Sequence, residues 1–260
     1  VGIAGNALGG PVGALVATVV GTELGKIVSK ETRVDILVTP GVTIISGVLI
    51  AQFVGPSVSM FMNSFGALVK SATEMQPFLM GILVSVFVGI ALTLPISSAA
   101  ICAALGLTGL AGGAAIAGCC AQMVGFAVMS FRENKWGGLV SQGIGTSMLQ
   151  MGNIVKNPRI WIAPILTSAI TGPLATCLFK LQMNGTPVSS GMGTCGFVGQ
   201  IGVYTGWMND IAAGTKTAVT GWDWAGLLLI SFILPAILCP LINMFIRKLG
   251  WVKDGDMTLS

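Results

Sequence analysis

Charged residues cut the chain into apolar intervals at 1–22, 36–69, 75–131, 136–155, 160–179, 181–209 and 224–246. A helix crossing a bilayer needs about 20 mostly apolar residues, so 1–22, 160–179 and 224–246 each predict one helix. The interval 36–69 predicts a helix ending near Val58, followed by an interfacial stretch, Ser59 to Val69, that carries Met and Phe. The interval 75–131 runs for 57 residues, enough for three short crossings with breaks at Pro95 and at Gly112-Gly113.

The distribution of Lys and Arg selects among the possible topologies, because cytoplasmic loops carry the excess. With three crossings in 75–131, and with 136–155 and 181–209 entering without crossing, ten basic residues fall inside and three (Lys70, Lys180, Lys216) outside. With two crossings the bias largely disappears. The expected fold is therefore an all-α polytopic membrane protein with about seven transmembrane helices and two re-entrant hairpins. The chain is read as a single membrane domain, 1–260, in three regions. Residues 1–135 supply helices with a broken segment at 95–113, residues 136–206 the solute site, and residues 207–260 a loop, the last helix and a cytoplasmic tail. Because Val1 already lies in an apolar segment, a preceding N-terminal part is expected.

Composition narrows the chemistry. Only 8 % of residues are charged, 53 % are apolar and mean hydropathy is +0.88, which excludes a water-soluble globule. Histidine is absent, which removes imidazole-based nucleophile systems and His metal sites. The six cysteines include no C-x-x-C and lie in apolar or glycine-rich sequence, as small buried hydrophobes do. No motif asks for a cofactor or metal. The net charge of +4 is spread over short loops without a basic run, so nucleic acid is not an expected partner. Trp136, Trp161, Trp207, Trp222, Trp224 and Trp251 all lie near charged loops and predict an interfacial belt. Glycine pairs at Gly9/Gly13, Gly21/Gly25, Gly109/Gly113 and Gly202/Gly206 predict close backbone packing in general, with no particular dimer face.

Two motifs bear on function. Gly191-Met192-Gly193-Thr194-Cys195-Gly196 matches a dinucleotide fingerprint in letters, but no strand precedes it and no soluble βαβ unit surrounds it. The second is an internal echo: Pro95-Ile96-Ser97-Ser98-Ala99 against Pro187-Val188-Ser189-Ser190-Gly191. Chance recurrence is one reading; paired broken helices that turn free backbone groups toward a solute cavity are the other. Side-chain amides in apolar sequence either join helices or line a wet cavity. Gln142, Gln150 and Asn153 cluster in one expected hairpin, and Thr186, Ser189, Ser190, Thr194 and Gln200 in the other. With Ser97 and Ser98 these form the expected site for a small neutral polar solute. Replacing Gln150 or Ser189 by Ala is expected to weaken ligand binding and leave the protein folded. None of the nine acids lies inside an apolar interval, which disfavours proton or sodium coupling through a carboxylate.

The segments GIAGNALGG (2–10), QPFLMGILVSVFVGIALTLPISSAAICAALGLTGLAGGAA (76–115) and GTPVSSGMGTCGFVGQIG (185–202) resemble the enzyme IIC membrane proteins of the sugar phosphotransferase system. The branch that they resemble most includes the perfringolysin O regulator-type proteins. The resemblance implies a homodimeric permease in a bacterial inner membrane, with re-entrant hairpins around a sugar and a separate IIB-type protein as phosphoryl donor. It also implies a Glu or His beside the reacting hydroxyl. Here Val188 follows Gly185-Thr186-Pro187 where glucose-type carriers have Glu, and Asp210 is the acid nearest the second hairpin. Two functions stay open: a IIC-type permease for a neutral sugar or polyol, and a sensor that keeps the fold without transport-coupled phosphorylation.

Overall fold

The computed structural model describes residues 1–29, 35–73 and 75–259. Lys30, Glu31, Arg33 and Glu74, which entered the charge reading, lie outside the described residues, as do the side chains of Asn6, Asn63 and Lys70. The described residues are mostly helical, and their one β feature is an isolated bridge between Gly109 and Met183. Contacts divide it into two compact units, Val1–Leu68 and Val69–Ser260.

The first unit is a helical hairpin. α1 (Gly2–Val28) and α2 (Asp35–Thr73) run antiparallel, Gly21 facing Thr43 and Gly47, and Gly25 facing the Thr43 side chain. The Gly21/Gly25 pair thus does what its spacing predicts, since a missing Cβ lets backbones approach closely. Farther along, Ser59 Oγ donates to the Leu8 carbonyl at 2.6 Å. α2 does not stop near Val58: it continues to Thr73 through Pro40 and Pro56, although its membrane-competent stretch closes at Phe61.

In the second unit the interval 75–131 departs from the expected three crossings. It holds α3 (Pro77–Thr93), α4 (Ser98–Ala104) and α5 (Gly109–Met129). α4 has seven residues, about 10 Å of helix, a third of a hydrocarbon core. A charge-free interval shows that a segment tolerates lipid; it does not separate a third helix from a short one between two turns. Among the described residues four helical spans are long and apolar enough to cross a membrane, Leu37–Phe61, Gly109–Met129, Pro158–Leu178 and Gly221–Lys248, with Pro77–Thr93 a shorter one.

α5 is the axis of this unit, 94 % buried over its apolar stretch. Its glycines and alanines let neighbours reach its backbone: Gly118 lies against the Ser85 backbone of α3, and Gly89 against Gly118. α8 (Ile162–Pro173) closes the trio, Ser85 Oγ donating to the Ser168 carbonyl at 2.7 Å. Around this trio the helices are interrupted. α6 (Phe131–Val140) passes through a π turn and a 3-10 turn into α7 (Met151–Lys156). The segment after α8 leads through a π turn and an extended stretch to α9 (Pro187–Ser190), a 3-10 turn and α10 (Val198–Ala212). α11 (Gly221–Leu228) runs through a π turn into α12 (Leu234–Lys248). Trp207 (3 % exposed) leaves the expected belt for the core, and Trp161 Nε1 donates to Gln122 Oε1 at 2.9 Å. Trp136, Trp222, Trp224 and Trp251 are exposed.

Candidate functional site

The two Pro-x-Ser-Ser segments meet. Pro95 ends the α3 trajectory, Ser97 caps α4 by accepting from Ala100 N at 3.2 Å, and Ser98 Oγ reaches across to donate to the Gly191 carbonyl at 2.7 Å. From the other copy Ser190 Oγ donates to the Leu107 carbonyl at 3.1 Å and to the Pro187 carbonyl at 2.6 Å. A Cβ on Gly191 would stand 2.6 Å from the Ser98 carbonyl oxygen, so that glycine permits the crossing. Thr194 Oγ1 donates to the Gly143 carbonyl at 2.6 Å, which links the second broken segment to the π turn that follows α6. The echo therefore has a structural meaning: Ser98, Ser190 and Thr194, all buried, tie interrupted backbones together.

Gln142, Gln150 and Asn153 also meet, in a chain of amides. Gln142 Nε2 donates to Ser130 Oγ and the Gly138 carbonyl, both at 3.0 Å. Its Oε1 accepts from Gln150 Nε2 at 2.9 Å, and Gln150 Oε1 accepts from Asn153 Nδ2 at 2.9 Å. The remaining donors go to the tail: Gln150 Nε2 to the Met257 carbonyl and Asn153 Nδ2 to the Thr258 carbonyl, both at 3.0 Å. Glu133 reinforces this clasp, accepting from Met257 N at 2.9 Å and pairing with Arg247 at 2.7 Å. Met257 is fully buried in a cluster with Phe126, Ile154 and Ile160. Gln142 and Gln150 have no exposed surface, and the chain itself answers their polar groups.

Thr186, Ser189 and Gln200 are less committed. Thr186 is exposed, and its hydroxyl shares a 2.9 Å bond with Ser189 Oγ. Gln200 Nε2 donates to Cys120 Sγ at 3.4 Å, and its buried Oε1 has no partner among the described residues.

A cavity of about 480 Å³ opens beside this second broken segment. The extended backbone at 181–185 forms one wall. It is pinned by the paired Gly109–Met183 bonds at 3.0 Å and pressed onto α10 where Gly202 and Gly206 have no side chain. Asn184 Nδ2 donates to Asp210 Oδ2 at 2.8 Å. The loop after α10 folds over, Thr215 N and Lys216 N donating to the Asp210 carbonyl at 2.9 and 3.2 Å. Lys216 Nζ pairs with Asp223 Oδ1 at 2.7 Å and sits 5.4 Å from the Trp207 ring centroid. Asp223 also completes a capping box with Thr220 at the start of α11. Gln182 and Lys180, the latter at φ 47°, complete the lining. Two ammonium groups and two carboxylates leave the cavity formally neutral beside an indole and two amides, a lining that offers donors, acceptors and a flat apolar surface together.

Asp210 is the acid that the sequence singled out. Lys180, Gln182, Asn184, Lys216 and Asp223 escaped notice because loop residues of these types are ordinary; the signal was Trp207, Trp222 and Trp224 flanking Asp210 and Asp223.

The interrupted helices packed on a glycine-rich axis and the polar cavity define a polytopic membrane carrier. The chain belongs to the EIIC family of the phosphotransferase system, which it matches over residues 2–259, and so to the membrane sugar permeases of that system. No curated protein and no solved structure matches it.

Proposed function

We propose that the chain carries a neutral sugar or polyol across a bacterial cytoplasmic membrane, as a homodimer, and that the solute is held at the cavity bounded by Asn184, Trp207 and Asp210. The observation that carries this reading is that cavity: about 480 Å³, room for a monosaccharide, with compensating charges, amides and an indole on its walls. The free lone pairs of the Asp210 carboxylate accept hydroxyl protons, the Asn184 and Gln182 amides pair with further hydroxyls, and the indole takes the C–H face of the ring. Thr186, Ser189 and Gln200 extend the site along the broken segment, supported by the unpartnered Gln200 Oε1. Ser97, Ser98, Ser190, Thr194, Gln142, Gln150 and Asn153 hold the frame around it. Phosphoryl comes from a separate IIB-type protein.

The test is a thermal-stability screen of the detergent-purified protein against neutral hexoses and hexitols, sugar phosphates, nucleosides and short lipids. A ligand of the folded state raises stability as ln(1 + [L]/Kd), so a saturable rise with a neutral sugar or polyol is expected. A rise only with apolar or anionic compounds, or none, contradicts the reading.

One observation favours the second function, a IIC-fold sensor of the regulator type. Glu133 is spent on Arg247, Gly255 N and Met257 N, so it is not placed to assist a reacting hydroxyl. Vesicles loaded with a IIB-type phosphoryl donor separate the two: sugar phosphate accumulates with a permease and not with a sensor.

A further inference from the structure

We propose that Lys216, with the loop at 213–220, is a lid on Trp207 that competes with the solute for the indole face. The inference rests on the sugar reading of the cavity and names how access to that site is controlled.

Trp207 lines a cavity of about 480 Å³ and is nevertheless only 3 % exposed. Trp224 packs against it edge to face, centroids 5.3 Å apart at 76°, and the Lys216 ammonium sits 5.4 Å from its centroid. Trp224 is part of α11 and moves only with it. Lys216 sits on a short exposed loop between α10 and α11. That loop is latched by four bonds to two anchors: the Asp210 carbonyl takes Thr215 N, Lys216 N and, at 2.9 Å, Thr215 Oγ1, and the Asp223 carboxylate takes Lys216 Nζ. Gly214, at φ 74°, supplies a backbone conformation that other residues rarely adopt, where the chain turns back.

An ammonium over an indole occupies the surface that a sugar ring uses through its C–H groups. The solute binds there only when Lys216 leaves, so the closed fraction lowers apparent affinity. Raising the lid uncovers the Trp207 ring and Val219, which packs against the same cluster, while most of the loop is already exposed. Lys216 gives up its pairing with Asp223, which stays on α11, and swings with the loop into water. The Asp210 carboxylate and the Asn184 amide then face the solute hydroxyls.

The experiment compares acrylamide quenching of tryptophan fluorescence, and affinity for D-glucose, D-galactose and D-mannitol, in wild type, Lys216→Ala and Lys216→Arg. Lys216→Ala is expected to add one quenchable tryptophan, missing again in Lys216→Ala/Trp207→Phe, and to tighten binding of the recognised solute about five-fold. Lys216→Arg keeps the cation on the ring and behaves as wild type. Unchanged quenching in Lys216→Ala overturns the lid. Increased quenching with equal or weaker affinity overturns the competition. Increased quenching with none of the three solutes bound by any variant removes the sugar reading of the cavity, and the competition with it.

Discussion

The second unit contains two polar clusters of similar makeup and opposite use. At the clasp, Gln142, Gln150 and Asn153 pass hydrogen bonds from one amide to the next and on to the backbone of Met257 and Thr258. At the cavity, Asn184, Asp210, Lys216 and Asp223 also pair with one another, yet they surround open volume. Residue type does not distinguish them. What does is closure: a buried amide must be satisfied, and the clasp satisfies its own with chain atoms, whereas the cavity surrounds open volume and covers its indole only with the Lys216 and Trp224 side chains. An amide in apolar sequence is therefore a site only where the chain fails to surround it.

Breaking the clasp should have the largest effect. Gln150→Ala leaves Gln142 Oε1 without its partner and takes one bond each from Asn153 Nδ2, which keeps the Thr258 carbonyl, and from the Met257 carbonyl, which keeps Asn134 Nδ2. The expected cost is about 2–4 kcal/mol of stability, read as a lower unfolding midpoint in detergent, with solute affinity unchanged in the protein that stays folded. This reverses the expectation from sequence that Gln150 can be truncated without harm. At the cavity the effect moves from stability to affinity. Asp210→Asn keeps a polar partner for Asn184 and removes the charged acceptor, so solute affinity should fall about ten-fold while the unfolding midpoint stays within about a degree or two of wild type. Smallest is Ser189→Ala, which removes the hydroxyl shared with Thr186. About a two- to three-fold loss of affinity, measured by titration calorimetry, would place Ser189 at the margin of the site; a loss as large as that of Asp210→Asn would move the site's centre toward the broken segment.

Much of the architecture was legible because lipid imposes simple demands. Apolar intervals located the helices, and the pairs Gly21/Gly25 and Gly202/Gly206 marked close approaches, whereas Gly109 meets nothing within 4 Å and supplies a positive φ of 60° instead. Gly21/Gly25 admits α2, Gly206 admits the extended backbone at Asn184 and Gly185, and Gly202 admits Ser189 of the one-turn α9. The recurrence of Pro-x-Ser-Ser marked two interruptions that the fold brings into contact. The interval 75–131 was not legible, since hydropathy alone does not tell a crossing from the seven-residue α4. Nor was the burial of Trp207, because an indole beside charged residues looks the same at an interface and over a cavity. The cavity itself was hidden for a geometric reason: its walls come from 179–184, 207–216 and 223–226, and nothing local to any of these shows that they meet.

The central claim is that solute binds at the cavity and that the clasp only holds the fold. The most direct test measures thermal stability and solute affinity for Asp210→Asn and Gln150→Ala side by side in the same detergent. The account predicts a crossed result, with affinity lost and stability kept in Asp210→Asn, and stability lost and affinity kept in Gln150→Ala. Affinity lost in Gln150→Ala at wild-type stability, with Asp210→Asn binding normally, would contradict it and put the solute among the amides.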